Sequence, residues 1–389
     1  MVEQYLTAEE AARRLGVSRA TLYAYVSRGL VTSETVAGSR ARRYPQRALD
    51  AFRARRDDRR DPVRWAALES SISLIDGERL WYRGRDACEL SRTATLEEVA
   101  CLLWTGTSDG AGTLFPGRNG HVQGPDPGRV PNGQAGGAAD RLIACLVAER
   151  ARHPLSLSEA GEATLRAAAN TVSALFGAAG ATGSGTLAER LARGWGAAGA
   201  DDLRAALVLC ADHGLATSTF TARCVASTDA PLHNALLAAL CALEGRRHGG
   251  AATGEIADLL DDVERLGAGQ ACRRVLAQRG RLPGFGGGSG AYRGGDPRGL
   301  ELLARLDLPP TDPAAQVIAF AQDYGGSPSI ELALAALVRR AGLPGDHAFA
   351  VFALGRSVGW VAHALEAAAA GTLIRPRARY AGPPPAAGV

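Results

Sequence analysis

Residues 244–251 read EGRRHGGA and separate two apolar, helix-forming stretches of the chain. Apolar side chains follow this segment at the spacing of one helix face, at Ile256, Leu259, Leu260, Val263 and Leu266. His248 therefore precedes a helix N-terminus, where the positive end of the helix dipole disfavours the imidazolium ion. A neutral imidazole can donate one hydrogen bond, and the flanking glycines leave room for a ligand. The alternative is a histidine that only caps the helix.

The sequence on both sides of this segment predicts helices. Helical periodicity extends from 140 to 280 and, after a glycine-rich break at 283–295, continues to about residue 370. Residues 107–139 are rich in Gly, Pro, Asp and Asn, which predicts a long loop. Strand-like patterns are limited to one or two short hairpins. The large part of the chain is therefore predicted to be all-α.

Length and cysteine use narrow the class of protein. The chain has 389 residues, more than one hydrophobic core usually holds, so two or three domains are expected. Its seven cysteines are far apart and form no CxxC pair, which favours buried free thiols in a reducing compartment. The chain shows no basic-then-apolar signal at its start and no apolar run of about eighteen residues. These features predict a cytoplasmic protein with no membrane partner.

Charge is spread unevenly along the chain. Its net charge is +4, but residues 1–60 contain 13 arginines and 7 acids, a net of +6, so the remainder sums to −2. A polyanionic partner is therefore expected to bind the N-terminal segment.

The N-terminal segment contains the pattern of two short helices. Thr7 and Glu10 have the spacing of a capping box, and Ser18 is a suitable N-cap for a second helix. Gly16 lies between the two helices and allows a tight turn. This arrangement is typical of a helix-turn-helix.

The segment 9–31, EEAARRLGVSRATLYAYVSRGLV, resembles the MerR- and excisionase-type helix-turn-helix. The resemblance implies that the start of the second helix enters the DNA major groove and that the following basic stretch forms a wing on phosphate. The candidate DNA-contacting residues are Arg19, Thr21, Tyr23, Arg40, Arg42 and Arg43. The alternatives are a helical hairpin whose arginines are only solvated, and a module that binds protein.

Three further segments resemble the opening of citrate synthase, the first two its hairpin and the third the helix that follows. They are SISLIDGE at 71–78, WYRG at 81–84 and LEEVACLLWTG at 96–106. With later motifs, the resemblance extends over residues 65–382. It implies an all-helical dimer in which each subunit has a large and a small domain that close over oxaloacetate and acetyl-CoA.

The resemblances together predict the domain organisation. We expect a small winged helix-turn-helix domain at 1–60 and a citrate synthase-like domain at 61–389. Within the second domain, a small and mobile helical subdomain is expected at roughly 249–340.

Condensation of acetyl-CoA with oxaloacetate requires a base for the methyl proton and a donor for the enol oxygen. The match implies that His248 is the donor. SPSIELAL at 327–334 matches the family segment that holds the base, and Glu331 occupies the place of the family's aspartate. Glutamate is one methylene longer, a change to which proton abstraction is sensitive. The alternative for Glu331 is an acid that only favours the helix dipole.

The segment ADHGLATSTF, at 211–220, resembles the family segment whose histidine binds oxaloacetate. His213 takes the place of that histidine. The segment departs from the family pattern at Gly214, where an acid is usual, and at Thr217. The alternative is a histidine at a helix end that is satisfied by backbone groups.

Three arginines match family sites for substrate carboxylates, namely Arg298, Arg356 and Arg375. A guanidinium group binds carboxylates in a bidentate manner, which suits a dicarboxylate substrate. By the match, Arg375 reaches the site of a neighbouring subunit, so the active unit is expected to be a homodimer with shared sites. The reaction needs no metal and no resident cofactor, since acetyl-CoA is a substrate.

The segment PGFGGGSGAYR, at 283–293, contains the most important departure from the family. The family has a histidine directly after Gly-Phe-Gly, and it polarises the ketone of oxaloacetate. This chain has Gly287 there, so Tyr292 or Arg293 would have to donate with a different geometry. Loss of one preorganised donor costs on the order of a hundredfold to a thousandfold in rate. A weakened activity is therefore expected.

Two main hypotheses for function remain. The first is an enzyme that condenses acetyl-CoA with oxaloacetate to give citrate and CoA, or uses propionyl-CoA to give 2-methylcitrate. The second is a helix-turn-helix regulator whose degenerate citrate synthase fold senses oxaloacetate or an acyl-CoA. An interaction protein without a ligand is a third hypothesis, against which the matched histidines and arginines argue. The wide resemblance and the carboxylate at 331 favour the enzyme.

Overall fold

The computed structural model divides into two compact units, Met1–Glu69 and Ser70–Val389. The predicted boundary after residue 60 lies outside the described residues and stays a prediction. Arg40 and Gly287 also lie outside them. The described residues are 5–15, 17–27, 31–35, 42–46, 48–49, 52, 68–115, 136–152, 155–157, 161–286, 291–323, 326–376 and 382.

The first unit contains the two predicted short helices, α1 (Ala8–Leu15) and α2 (Arg19–Ser27). The Glu10 carboxylate accepts from Thr7 N at 2.8 Å, and the Thr7 hydroxyl accepts from Glu10 N at 3.4 Å, which completes the predicted capping box. The Ser18 hydroxyl accepts from the backbone N–H three residues later, at 3.2 Å. The buried apolar residues of this unit are Ala11, Ala12, Leu15, Leu22, Val31, Tyr44 and Leu49.

A small antiparallel sheet completes the first unit. Its order is β1 (Tyr5–Leu6), β3 (Arg42–Pro45) and β2 (Glu34–Thr35). Strands β2 and β3 pair at the place of the predicted wing. Strand β1 was not predictable, because two residues are too few to show an alternating pattern.

The second unit begins with another antiparallel sheet, β4 (Ser73–Ile75), β5 (Leu80–Tyr82) and β6 (Arg85–Asp86), in that order. Leu80 and Tyr82 are buried and the residue between them is half-buried, as the two-residue period of a strand requires. The pairing of β4 with β5 confirms the hairpin predicted from SISLIDGE and WYRG.

The remaining elements described in this unit are helices, which confirms the predicted all-α class. They are α3 (Ala87–Thr93), α4 (Leu96–Thr105), α5 (Ala111–Leu114), α6 (Ala138–Arg152), α7 (Glu162–Ala178), α8 (Leu187–Trp195), α9 (Ala200–Cys210), α10 (Thr217–Ala226), α11 (Leu232–Leu243), α12 (Gly249–Leu266), α13 (Ala268–Arg279), α14 (Pro297–Leu306), α15 (Pro313–Gln322), α16 (Ile330–Arg340) and α17 (Asp346–Ala370). The loop predicted at 107–139 is wrong at two places, because α5 and the start of α6 lie within it. Helix α5 is one turn long and buries a single leucine, which leaves no periodic pattern.

Helix α17 lies at the centre of the second unit, where α4, α9, α10, α11 and α12 all contact it. Two of its glycines permit a close approach to α9. A Cβ at Gly355 would lie 2.6 Å from Leu207 O, and one at Gly359 would overlap Ala211 O. By length and composition α17 could cross a membrane. However, 94% of its most apolar 18-residue stretch is buried inside the unit, as in a core helix.

Helices α12 to α16 cover the residues predicted as the small subdomain. Helix α12 contacts α13, α15 and α16, and α14 contacts α16. Helices α12 and α16 also contact the central helix α17. The boundaries and the mobility of this subdomain stay predictions.

All seven cysteines are free thiols, as expected. Four are buried and two are half-buried, but Cys241 is exposed. The prediction of burial is therefore wrong for Cys241, which lies on the solvent side of α11.

Candidate active site

The end of helix α9 is held by side chains from two other elements. The Tyr82 hydroxyl of β5 contacts carbonyl groups in the last turn of α9 and accepts from Asp212 N at 3.2 Å. Arg356 Nε of α17 donates to Cys210 O at 2.8 Å. These contacts fix the backbone that leads into His213. Two glycines of α17 make the Arg356 contact possible, because they bring α17 close to the end of α9.

Asp212, the residue before the predicted histidine, is fully buried in a polar cluster. Its carboxylate accepts from Gly214 N at 2.9 Å and from the Ser73 hydroxyl, and His363 Nε2 lies 3.3 Å away. Burial alone would raise the pKa of this carboxyl, but His363 and then Arg356 lower it below its ordinary value. Ser73 and His363 are 139 and 151 residues away in the chain, so no local motif predicts this cluster.

His213 is half-buried, and its Nε2 lies 2.9 Å from the Tyr292 hydroxyl. Burial, followed by the positive charges of Arg298 and Arg356, lowers the pKa of His213 well below its ordinary value. The imidazole is therefore neutral at pH 7. Both predicted arginines are thus among the charges that disfavour the imidazolium form of His213.

His248 is the N-cap residue of α12, which agrees with its predicted position before a helix. Its Nε2 accepts from Ser218 N, at the start of α10, over 3.4 Å. Burial, and after it the charge of Arg356, lowers the pKa of His248 to about 4. The neutral ring therefore carries its proton on Nδ1. That nitrogen is buried and has no acceptor among the described residues.

Glu331 lies in the first turn of α16. Its carboxylate lies against Gly249, so closely that a Cβ on Gly249 would overlap Oε1 and approach Cδ to 3.0 Å. Gly249 directly follows His248, so the carboxylate contacts the backbone of the residue next to the imidazole. The structure thus places the Glu331 carboxylate one residue along the chain from the N-cap histidine of α12.

Arg298, in the first turn of α14, is buried together with Asp296. Its Nε donates to Oδ1 at 2.9 Å and its Nη2 donates to Oδ2 at 2.8 Å. Burial disfavours the charged guanidinium, but Asp296 overcomes this effect and raises the pKa of Arg298 above its ordinary value. Asp296 occupies one edge of the guanidinium. The remaining nitrogen, Nη1, is buried with no acceptor in the described part of the chain.

Asp296 also connects two elements of the site. Its carboxylate accepts from Ile330 N at 3.2 Å, at the first residue of α16. The same carboxylate therefore holds Arg298 and the backbone beside Glu331. The matched segment at 296–298 contains Asp296, but it did not predict this second contact, because Ile330 lies 34 residues away in the chain.

Arg356 is buried in the central helix, and its guanidinium lies 4.9 Å from the centre of the Phe352 ring. Burial lowers the pKa of Arg356, an effect that Asp212 opposes. Its Nη2 is a further buried donor for which the described residues supply no acceptor.

The structure brings together five of the six predicted residues of the large unit: His213, His248, Arg298, Glu331 and Arg356. The sixth, Arg375, is exposed in the segment after α17, which is held by a 3.1 Å hydrogen bond from Ile374 N to the Ser227 hydroxyl. Its role in a neighbouring subunit's site stays a prediction, because the structure contains one chain.

Helix α2 presents two of the candidate DNA-contacting residues to solvent. Arg19 and Tyr23 are exposed, and Arg19 Nη2 donates to the Tyr23 hydroxyl at 3.2 Å. Thr21 is half-buried, and its hydroxyl bonds the Ser18 hydroxyl at 2.8 Å. Thr21 therefore contributes to the start of the helix, and Arg19 and Tyr23 are the better placed candidates.

The hairpin of β2 and β3 carries the other two described candidates. Arg42 donates to the Ser33 hydroxyl at 3.2 Å. Arg43 forms a 2.8 Å ion pair with Glu34 and lies 4.2 Å from the centre of the Tyr5 ring. Because Glu34 balances its charge, Arg43 would have to leave this pair to bind phosphate.

Two family models match the chain. The family described as "Citrate synthase, C-terminal domain" matches residues 63–114 and 138–377. The family described as "Helix-turn-helix domain" matches residues 5–57.

Curated relatives match the chain in part. The "Putative citrate synthase 2" of Mycobacterium tuberculosis (strain CDC 1551 / Oshkosh) is 38% identical over 190 residues, which are 46% of this chain and 50% of the relative. "Citrate synthase 2" of Bacillus subtilis (strain 168) is 35% identical over 187 residues, again 46% and 50%. The chain thus covers about half the length of these curated relatives.

Solved structures match over a longer range. Citrate synthase from Thermotoga maritima aligns with a TM-score of 0.65 at 24% identity, over 83% of this chain and 95% of that one. The ternary complex of the Thermoplasma acidophilum citrate synthase with carboxymethyl coenzyme A and oxaloacetate aligns with a TM-score of 0.67 at 23% identity, over 83% and 96%. At these identities the likeness shows the fold. The citrate synthase family model covers most of the length of the chain. The chain therefore belongs to the citrate synthase family, and it carries a helix-turn-helix domain at its N-terminus.

Proposed function

We propose that the chain condenses acetyl-CoA with oxaloacetate and releases citrate and CoA. The observation that carries this proposal is a set of three buried N–H donors that have no acceptor among the described residues, together with one carboxylate. The donors are His248 Nδ1, Arg298 Nη1 and Arg356 Nη2, and the carboxylate belongs to Glu331. A buried donor without a partner costs about 1–3 kcal/mol, and more when it is charged. A dianionic substrate would relieve that cost at both arginines.

The first step needs a base and a donor. Glu331 removes a proton from the acetyl methyl group, and the C–H electron pair becomes the carbon–carbon double bond of an enolate. The thioester oxygen takes the negative charge that develops. His248 Nδ1 then donates a hydrogen bond to that oxygen. The low pKa of His248, about 4, supports this assignment, because the ring is neutral and has a single proton to direct.

The second step forms the carbon–carbon bond. The enolate carbon attacks the ketone carbon of oxaloacetate with its electron pair. The π pair of the ketone moves to the ketone oxygen, which takes up a proton and becomes a tertiary alcohol; in net terms this proton balances the one that Glu331 removed from the methyl group. Water then adds to the thioester carbon, the carbon–sulfur bond breaks, and CoA leaves as its thiol. His213, Arg298 and Arg356 hold the oxaloacetate during these events.

The proposal includes a homodimer, in which Arg375 of one subunit contributes to the other subunit's site. It requires no resident cofactor, since acetyl-CoA is consumed as a substrate. Seven free cysteines are consistent with a reducing, cytoplasmic setting. We expect a weaker enzyme than a family member with histidine at the place of Gly287. Propionyl-CoA, which would give 2-methylcitrate, is the alternative acyl substrate.

Product analysis tests this proposal. Acetyl-CoA with a ¹³C-labelled methyl group is incubated with oxaloacetate and the full chain, and the products are identified by NMR. We expect labelled citrate from the unaltered chain and none from Glu331→Gln. A parallel reaction with propionyl-CoA measures the acyl preference. Acetyl-CoA and propionyl-CoA that both stay unchanged, in the presence of folded protein, would rule out the enzyme.

A second candidate function is a DNA-binding regulator that senses oxaloacetate or an acyl-CoA. The helix-turn-helix domain and the exposed Arg19 and Tyr23 on α2 favour it. Selection of DNA fragments by the full chain, with and without oxaloacetate, tests this candidate. A sequence preference that changes with oxaloacetate would support regulation. Equal weak binding to all fragments would argue against it.

A further inference from the structure

Tyr292 is a half-buried residue near the substrate site, and the two steps above do not use its hydroxyl. It lies 2.9 Å from His213 Nε2, and the two ring centres are 5.5 Å apart. Burial raises the pKa of Tyr292, and the smaller opposing effect of the Arg298 charge does not cancel the rise. The hydroxyl therefore keeps its proton at pH 7, and it lies within the influence of the carboxylate-binding arginines.

The backbone holds Tyr292 in place from its C-terminal side. Arg293 N donates to Gly77 O at 2.8 Å, in the turn between β4 and β5. Gly77 has a φ of +94°, a backbone conformation that favours glycine. The segment that carries Tyr292 is thus anchored to the sheet next to the Asp212 cluster. Beside this anchor the Arg293 side chain is exposed, whereas the half-buried Tyr292 side chain contacts His213.

The second step of the proposed reaction needs a donor at the ketone oxygen, because negative charge grows there as the new bond forms. The histidines described outside the site do not supply it. His363 is bonded to Asp212 and Arg223, and His347 is bonded to Asp346. His233 lies 3.2 Å from the Thr171 hydroxyl.

We propose that Tyr292 is a catalytic residue whose hydroxyl donates the hydrogen bond that polarises the ketone of oxaloacetate. In the tautomer of His213 that carries its proton on Nε2, the imidazole donates to the Tyr292 oxygen. The hydroxyl proton is then available for the substrate. A donor that itself accepts a hydrogen bond is polarised and becomes a stronger donor. His213 thereby takes part in oxaloacetate binding through Tyr292, as a positioning residue, while Arg298 and Arg356 contact the substrate carboxylates. The assignment rests on the proposed function and names the missing element of its second step.

The test is the infrared carbonyl band of oxaloacetate labelled with ¹³C at the ketone, bound to the full chain. Polarisation moves this band to lower frequency than in free oxaloacetate. We compare the unaltered chain with Tyr292→Phe, which removes only the hydroxyl, and with Arg293→Ala. Calorimetric titration with oxaloacetate and thermal unfolding accompany each variant, so that loss of folding or binding is seen separately.

The expected result is a lowered band in the unaltered chain and in Arg293→Ala, and a band close to that of free oxaloacetate in Tyr292→Phe. Binding should change less than tenfold, while kcat falls on the order of a hundredfold to a thousandfold. A band that stays lowered in Tyr292→Phe, or that is lost in Arg293→Ala instead, would overturn the assignment of Tyr292. Failure of the unaltered chain to bind oxaloacetate would overturn the proposed function, and the Tyr292 assignment with it.

Discussion

Replacement of Gly249 by alanine separates catalysis from stability. The Glu331 carboxylate lies where the new methyl group would be, and Cδ would be only 3.0 Å from it. The backbone of Gly249 does not require glycine, because its φ is not positive. Glu331 must therefore move while the fold stays intact. Alanine in α12 also forms a helix more readily than glycine.

The size of the effect follows from the geometry. To escape the overlap, the carboxylate has to shift by about 1 Å, and a misplacement of that size costs on the order of a hundredfold in rate. The free energy of unfolding should stay constant or rise by up to about 1 kcal/mol from helix propensity. Activity and stability thus change in opposite directions, which a general loss of structure would not produce.

The assay measures kcat for oxaloacetate-dependent CoA release and the urea midpoint for Gly249→Ala. Gly254→Ala is the matched control, because Gly254 lies in the same helix, is exposed and has nothing within 4 Å of a built Cβ. We expect the control to keep full activity and to gain the same stability. Equal activity in the two variants would refute the position assigned to Glu331. A large loss of stability in Gly249→Ala would refute the expectation that Glu331 moves aside while the fold stays intact.

Three further predictions concern stability and DNA binding. Because the folded pKa of His248, about 4, is below the unfolded value near 6.5, its contribution to stability is complete above pH 6.5 and is lost as pH falls toward 4. The urea midpoint of the unaltered chain should therefore fall as pH is lowered from 6.5 to 4, and it should fall less in His248→Asn. An equal fall in the two proteins would contradict the lowered pKa of His248. Asp296→Asn leaves Arg298 buried without its counter-charge, so we expect a loss of about 3–5 kcal/mol in chemical denaturation. The N-cap control Asp312→Asn should change little, and similar losses would contradict the role of Asp296. If the first unit binds DNA, Arg19→Ala should reduce the slope of log affinity against log salt concentration by about 1, the equivalent of one phosphate contact. Mobility-shift titrations at several salt concentrations measure this slope. An unchanged slope would exclude the contact.

Much of the helical fold follows from local sequence. The capping box at Thr7 and the helix after His248 depend on residues a few positions apart, so their pattern is visible in the chain. Elements that are held only by distant partners leave no such pattern. Helix α5, a single turn, and strand β1, two residues paired with β3, are examples.

The candidate site shows the same difference between residues in local motifs and contacts between distant residues. His213, His248, Glu331 and the two buried arginines stand in short motifs, and the fold brings them to one place. Their supports are distant in sequence. The Asp296 carboxylate accepts a hydrogen bond from Ile330 N. The Tyr82 hydroxyl, on strand β5, accepts one from Asp212 N in the turn before His213. Such contacts depend on how the elements pack, and periodicity or spacing cannot reveal them.

The causes of the altered histidine pKa values also differ from expectation. The helix dipole was expected to keep His248 neutral, whereas burial is the largest cause and the charge of Arg356 comes next. Arg356 lies more than a hundred residues further along the chain, on the central helix. The electrostatics of the site is therefore a property of the packed fold.

The release of CoA from acetyl-CoA by the purified full chain, with and without oxaloacetate, is the most direct test of the condensing site. We expect release that depends on oxaloacetate and that falls at least a hundredfold in Glu331→Gln, which keeps the shape of the side chain but cannot accept the proton. Folded protein that binds oxaloacetate, shown by a raised melting temperature, yet releases no CoA would contradict the enzyme and favour the metabolite-sensing regulator. Equal release by Glu331→Gln would show that Glu331 is not the base.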